Sequence, residues 1–160
     1  MAPDPQLLFH IGALNAEYAR RIDDDELEAW PELFSDPCVY SVTSHDNYAL
    51  KRPVGVIYAD SQAMLRDRVA SLRQANIYER QRYRHLLGMP HLRGNGGGEL
   101  AVETPFAVYR IMRDGRTDVF ATGRYVDRLR RQAGERPLAF AERIVVCDSS
   151  LFDTLLAIPL

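Results

Sequence analysis

The spacing of apolar residues changes once along this chain, from a helical repeat in the first half to strict alternation in the second. In the first 22 residues, apolar side chains recur three or four positions apart: Leu7, Leu8, Ile11, Leu14, Tyr18 and Ile22. This repeat predicts a long amphipathic helix. From residue 80 onward the period is two, which predicts long strands joined by tight turns. Helices followed by hairpins indicate an α+β fold, with helices packed on one face of an antiparallel sheet.

Capping and turn residues place the individual elements. Asp4 before Pro5 is a typical helix start, and the acidic residues 23–25 end that helix and cap a second, short one. A third helix begins after Asp60 or Ser61 and carries a stripe of Met64, Leu65, Val69 and Leu72. Strands are expected at residues 38–43, 80–87, 100–112, 117–130 and 138–148. Residues 44–53 are expected to form a polar loop with a short strand near 48–50, and residues 95–98 a flexible turn. The apolar tail, residues 149–160, is expected to dock on the fold.

Length and charge exclude several protein classes. The chain has 160 residues and a formal net charge of −2, which fits one domain over residues 1–160 and shows no basic excess for nucleic acid. No apolar run is long enough for a membrane span, and residues 1–10 lack the pattern of a signal peptide. We therefore expect a cytoplasmic protein.

Metal and nucleotide motifs are missing from the sequence. The histidines, at positions 10, 45, 85 and 91, have no metal-binding spacing, and Cys38 and Cys147 stand far apart without flanking histidines. We expect no metal and no cofactor in this chain. The glycine-rich stretch at 94–98 lacks the pattern of a dinucleotide-binding loop. A disulfide between the two cysteines stays open, although buried thiols are the simpler interpretation.

A pocket inside a curved sheet leaves an acid–base site as an open alternative. The polar groups that could serve one are Tyr18, Tyr40, Asp60, Tyr83 and His85. A histidine beside a tyrosine or aspartate could transfer protons, and the chain would then be a stand-alone isomerase, dehydratase or hydrolase. A non-enzymatic binding module is a weaker alternative. The competing interpretation is that His85 is structural or lies in a subunit interface.

Arginines dominate the basic residues and cluster at residues 80–84. The chain has 19 arginines and one lysine, Lys51, which fits either a GC-rich genome or arginine-rich interfaces. Alternation in a strand places Arg80, Arg82 and Arg84 on one face, and Tyr83 and His85 on the other. Such a row of like charges is either solvated or neutralised by carboxylates of another subunit.

Several segments resemble one known family in the same order along nearly the whole chain. Residues 76–85 read N-I-Y-E-R-Q-R-Y-R-H and are similar to the Arg-x-Arg-His stretch of the small (beta) subunits of aromatic-ring-hydroxylating dioxygenases. Further matches lie at residues 15–18, 25–34, 59–61, 106–110, 119–127 and 142–148. Residues 59–65 and the final segment from Cys147 also resemble the branch of the family that acts on terephthalate. Leu86-Leu87-Gly88 departs from the usual continuation after the histidine.

The resemblance implies a specific fold and a specific division of labour. The expected fold is the cone of nuclear transport factor 2, with N-terminal helices on a strongly curved antiparallel sheet. The family implies an α3β3 hexamer whose large (alpha) subunits hold a Rieske 2Fe-2S cluster and a mononuclear non-haem iron, with electrons from NADPH or NADH delivered by a reductase. The small subunit is structural, so the resemblance supplies no catalytic residue. As candidates for the subunit interface we name Trp30, Arg82, Arg84 and His85.

Overall fold

The fold consists of three helices, one 3₁₀ turn and seven strands in the part of the chain that the structure describes. The structure is a computed structural model and describes residues 2–53, 55–75, 81–150 and 158–160. The helices are α1 (Pro5–Asp23), α2 (His45–Ala49) and α3 (Gln62–Ala75), and the 3₁₀ turn is Trp30–Leu33. The strands are β1 (Phe34–Ser44), β2 (Ile57–Ala59), β3 (Gln81–Leu87), β4 (His91–Gly96), β5 (Glu99–Met112), β6 (Thr117–Arg131) and β7 (Leu138–Cys147). None of the described helices has the length and apolarity that a bilayer crossing requires.

All the strands belong to one sheet, ordered β2-β1-β7-β6-β5-β3. β4 pairs with the first half of β5, on the same edge where β3 pairs with the second half. The consecutive strands β5, β6 and β7 pair antiparallel, as their short connecting turns require. The β1–β7 pair is parallel, with Val42 opposite Val145. The sheet is therefore mixed, because its first and last strands are far apart in the chain and no tight turn constrains their direction.

Helices α1 and α3 cover one face of the sheet, as the predicted α+β arrangement requires, whereas the short α2 lies on the other face, where Arg124 stands over the ring of its Tyr48. The Asp4 side chain accepts a hydrogen bond from the Gln6 amide at the start of α1. The apolar stripe of α1 is buried from Leu7 to Ile22 and contacts both β3 and β7, so α1 crosses the inner face. α3 begins after Ser61, whose hydroxyl accepts a hydrogen bond from the Met64 amide, and packs near β1. Sheet and helices together enclose the core of the predicted cone.

Local departures from the predicted elements have identifiable causes. The short strand expected at residues 48–50 is wrong, because the Ser44 hydroxyl caps the Asn47 amide and the chain turns into α2. The strands β2 and β4 were not predicted. They are short, and β4 contains glycines that resemble a turn. Met64 was expected in the buried stripe of α3 but is 41% exposed.

The two cysteines and the last residues also have definite places. Cys38 and Cys147 are both free and buried. Cys147 lies opposite Ser44 in the β1–β7 pair, and six residues of strand separate Ser44 from Cys38, which is about 20 Å. A disulfide needs Cα atoms within about 7 Å, so the open disulfide alternative is wrong. In the tail, Ile158 and Leu160 are buried as predicted, while residues 151–157 lie outside the described residues.

Candidate functional site

A buried ion pair occupies the centre of the cone. Arg143 on β7 lies directly opposite Asp127 on β6 in the sheet register. Its guanidinium donates two hydrogen bonds to the carboxylate, at 2.8 and 2.7 Å, and both side chains are essentially inaccessible to solvent. Two parallel bonds to one carboxylate give the pair a fixed orientation. The centre of the cone is thus filled by an arginine whose charge is already neutralised.

Aromatic rings and a polar chain complete the surroundings of Arg143. The guanidinium carbon lies 4.2, 3.8 and 4.1 Å from the ring centroids of Tyr18, Tyr125 and Phe140. The electron-rich faces of these rings favour a cation. Arg143 also donates to the side-chain Oδ1 of Asn15 at 2.6 Å, and the side-chain Nδ2 of Asn15 donates to the Thr104 hydroxyl at 3.1 Å. The network ties α1 to three strands, which is a structural task.

The tyrosines that could have served an acid–base site belong to this packed interior. The hydroxyls of Tyr18 and Tyr40 both donate to the carbonyl oxygen of Leu160, and the Leu160 amide donates to Tyr40. Burial raises the pKa of Tyr18 to about 12 and raises the pKa of Tyr40 well above its usual value. Burial also raises the pKa of Asp127, and the Arg143 guanidinium opposes that shift. These tyrosines stay protonated near neutral pH and hold the end of the chain.

His85 forms a pair with Asp23, a residue that the sequence did not suggest as its partner. The imidazole Nδ1 lies 2.6 Å from one carboxylate oxygen of Asp23, and the His85 backbone amide donates to the other at 2.8 Å. The two side chains are 0% and 4% exposed. Tyr83 stands beside His85, and its ring stacks on Phe120. The pair has the composition of an acid–base dyad, but a substrate could not reach it without separation of α1 from β3.

The Asp23 carboxylate also bonds to the backbone at the edge of the sheet. β3 is an edge strand, and unpaired edge amides are templates for association with other chains. Asp23, at the end of α1, accepts a hydrogen bond from one of these edge amides, that of His85. The geometry therefore favours a structural role for His85 and Asp23, in which helix and strand edge are locked together.

The other predicted site residues are either exposed or buried in the core. Asp60 is exposed just before α3. Trp30 is fully buried within this chain, with its ring 5.1 Å from Tyr40 and 5.5 Å from Phe34. The side chains of Trp30 and His85 are buried within this chain, and their place in a subunit interface stays a prediction. Arg82 and Arg84 point outward from β3 with Leu86, on the face opposite Tyr83 and His85, as the alternation predicted. The third arginine of the predicted row, Arg80, lies outside the described residues.

The residues that the structure describes do not fit a Rieske cluster or a mononuclear iron. A Rieske cluster needs two cysteines and two histidines in close pairs, whereas Cys38 and Cys147 are about 20 Å apart along the sheet. Burial raises the pKa of the Cys38 thiol to about 11 and that of Cys147 to about 12, which disfavours the thiolates that ligate metals. Among the described residues, no three histidine, cysteine or carboxylate side chains lie close enough together to hold a metal.

The sequence pattern of β6 and β7 contains a signal for the buried pair. In β6 the inward positions are Tyr125, Asp127 and Leu129, and their partners in β7 are Val145, Arg143 and Phe140. One acidic and one basic residue therefore stand at core positions of neighbouring strands. Opposite charges at buried positions of paired strands indicate an internal ion pair.

Comparison with known proteins places the chain in a family. A family model described as "Ring hydroxylating beta subunit" matches residues 17–154. A relative from Comamonas, subunit beta 1 of the terminal oxygenase component of terephthalate 1,2-dioxygenase, is 49% identical over 150 residues, covering 94% of this chain and 96% of the relative. The small subunit of anthranilate 1,2-dioxygenase from Burkholderia cepacia is 36% identical over 160 residues, covering 100% of this chain and 98% of the relative.

Solved structures agree on the fold. A crystal structure of a beta subunit assigned to an aromatic-ring-hydroxylating dioxygenase from Novosphingobium aromaticivorans superposes with a TM-score of 0.87 at 36% identity, covering 96% of this chain and 97% of the other. A structure of naphthalene 1,2-dioxygenase has a TM-score of 0.78 at 19% identity, covering 99% and 88% of the two chains, and supports the fold alone. The cone fold expected from the resemblance is confirmed. This chain belongs to the family of ring-hydroxylating beta subunits, the small subunits of the terminal oxygenases of aromatic-ring-hydroxylating dioxygenases.

Proposed function

We propose that this chain, as a single domain over residues 1–160, is the small subunit of a terminal oxygenase that cis-dihydroxylates terephthalate. The 49% identity to a terephthalate 1,2-dioxygenase subunit over 94% of the chain carries this proposal. The assembly is a cytoplasmic α3β3 hexamer. Its large subunits supply the Rieske cluster, the mononuclear iron and the ring-binding pocket, and a reductase delivers electrons from NADPH or NADH.

The role of this chain in that assembly is to hold the large subunits in place. The packed centre around Arg143 and Asp127 supports this role, since side chains occupy the space that a substrate would need. The acid–base alternative has weaker support, because His85 and Asp23 are shielded from solvent. Of the interface candidates, Arg82 and Arg84 have the exposed side chains that a contact with a partner requires.

Co-expression with the large subunit tests the proposal. The partner to use is the product of a neighbouring reading frame that carries Cys-x-His…Cys-x-x-His. We expect the two chains to co-purify at the mass of six subunits, and terephthalate to stimulate NADPH or NADH oxidation once the reductase is added. Anthranilate, offered as a matched aromatic acid with one carboxylate, should give at least tenfold lower stimulation.

Two results would contradict the proposal. One is a small oligomer of this chain alone that turns over a substrate and loses that activity on His85→Ala. The other is a reconstituted hexamer that prefers anthranilate, which would overturn the substrate while leaving the subunit role intact.

A further inference from the structure

The outer face of the sheet carries an apolar patch bordered by arginines. Leu86 on β3 and Val119 on β6 are each 55% exposed, and the half-buried side chains of Tyr109 and Ile111 lie on the same face of β5. We call this surface, together with two arginines of β3, the outer patch. Its members are Arg82, Arg84, Leu86, Tyr109, Ile111 and Val119. Alternation in an antiparallel sheet with one solvated face would place polar side chains here, so exposed apolar residues indicate a contact surface.

The sheet register makes the outer patch continuous. Arg84 lies opposite Tyr109, which lies opposite Val119, so these three form one row across three strands. Arg82 lies opposite Ile111 in the next outward row. Val119 reaches this face because the β5–β6 register shifts after the Val108–Ala121 pair and leaves Phe120 as an extra residue. The β-bulge therefore adds an apolar side chain to the patch.

The arginines of the patch differ from the other arginines on this face. Arg124 pairs with Glu103 at 3.0 Å, and Arg128 and Arg130 both pair with Glu99, at 2.9 and 3.0 Å. Arg84 has only a long contact with Asp23, 3.9 Å, and Arg82 has no carboxylate within salt-bridge distance among the described residues. Within the described residues, the patch thus carries positive charge that no close carboxylate neutralises.

A concave site at one end of the patch could receive a partner side chain. A cavity of about 420 Å³ is lined by Gln81, Arg82, Ile111, Met112 and Arg113. A lining that combines two arginines with apolar side chains suits a carboxylate on an aliphatic stem. Arginine and tyrosine are also the residue types enriched where protein interfaces bind most strongly.

We infer that the outer patch docks on an acidic, apolar-centred surface of the large subunit, whose carboxylates pair with Arg82 and Arg84. This inference rests on the proposed function for the existence of that partner. The positive charge of the outer patch favours the large subunit over a second copy of this chain as the binding partner. Arginines outnumber glutamates on this face of the described strands, so two outer patches facing each other would bring like charges together.

Charge reversal of the outer patch tests the inference. In the purified chain, Arg82→Glu together with Arg84→Glu should weaken binding to the large subunit at least 30-fold and reduce its salt dependence, measured by biolayer interferometry. The matched control is Lys51→Glu with Arg52→Glu, which reverses two exposed cations away from the patch and should change the affinity less than twofold. The melting temperature of each isolated variant checks its folding.

An uncharged variant keeps the test valid if the double reversal fails to fold. Leu86→Ser should weaken binding at least fivefold, whereas Leu50→Ser, at a comparably exposed leucine (61% exposed), should leave it unchanged. Equal binding by wild type and both patch variants overturns the inference. So does a self-associating chain that becomes monomeric on Leu86→Ser, which would make the occupant a second copy. Failure of the wild-type chain to bind any large subunit contradicts the proposed function instead.

Discussion

At the scale of single residues, Arg143 has the largest consequence for this protein. A charged group in a dry interior is tolerated only when it is paired and hydrogen-bonded. Asp127 supplies the charge, Asn15 supplies a further acceptor, and three aromatic rings lie against the guanidinium. The Nη1 nitrogen has no hydrogen-bond partner among the described residues and depends on those rings alone. The side chains at the centre of the cone therefore stabilise the fold and leave no room for a ligand.

We predict that Arg143→Met destabilises the chain by about 3–5 kcal/mol, because it leaves the Asp127 carboxylate buried and unpaired. Adding Asp127→Leu should recover much of that loss, since the remaining groups are then apolar. Urea denaturation of the isolated chain measures both, with the exposed Arg52→Met as the control. Equal midpoints for Arg143→Met and wild type would refute the idea that the pair holds the interior together.

At the scale of elements, close contact between β6 and β7 decides which side chains fit. A Cβ atom at Gly123 would lie 2.0 Å from the Val146 carbonyl oxygen and 2.9 Å from its carbonyl carbon. Both are backbone atoms, so they cannot rotate aside. Gly123 is needed for space rather than for an unusual backbone angle. By contrast, a Cβ atom added at Gly12, in the middle of α1, would have no atom within 4 Å outside its own helix turn among the described residues.

Gly123→Ala should therefore destabilise the chain by at least about 1–3 kcal/mol, the usual cost of forcing extra atoms into a packed site. The same change at Gly12 should stabilise it by about 0.5–1 kcal/mol, because alanine is the better helix former. Differential scanning calorimetry of the two variants should show melting temperatures that move in opposite directions. A shift of the same sign in both would contradict the packing argument.

At the scale of the whole molecule, the last residues connect elements that are far apart in the chain. Leu160 accepts hydrogen bonds from Tyr18 of α1 and Tyr40 of β1, and its own amide donates to Tyr40. The side chains of Ile158 and Leu160 are buried in the same core. Contacts of such long range make the fold depend on docking of its final segment.

Tyr40→Phe should destabilise the chain by about 1–3 kcal/mol, since it leaves the buried Leu160 amide without its acceptor. Limited proteolysis should then cleave after residue 148 faster than in wild type. Tyr58→Phe, at a tyrosine that is 60% exposed, provides the comparison and should change neither quantity. Unchanged proteolysis of Tyr40→Phe would mean that the hydroxyl does not hold the tail.

Most elements were predictable because the spacing of apolar residues along the chain indicates which face of a helix or strand is buried. The stripe of α1, the cap at Asp4, and the strands β5, β6 and β7 follow from periods of 3.6 and two. The predictions failed where a single contact overrides the local pattern. Ser44 capping turns residues 45–49 into a helix, and the bulge at Phe120 interrupts the alternation of β6, so that Val119 lies on the face opposite Ala121 and Tyr125.

The sequence by itself determined the α+β class, the outward direction of Arg82 and Arg84, and the family, since these depend on periodicity and on co-linear motifs. Only the tertiary structure decided that the cone is filled, that Asp23 is the partner of His85, and that Trp30 is an internal residue. The parallel β1–β7 pair and the Asp127–Arg143 bridge also belong to this second group. The physical reason is that each joins residues far apart in the chain. No local spacing specifies which distant side chain will meet a buried charge.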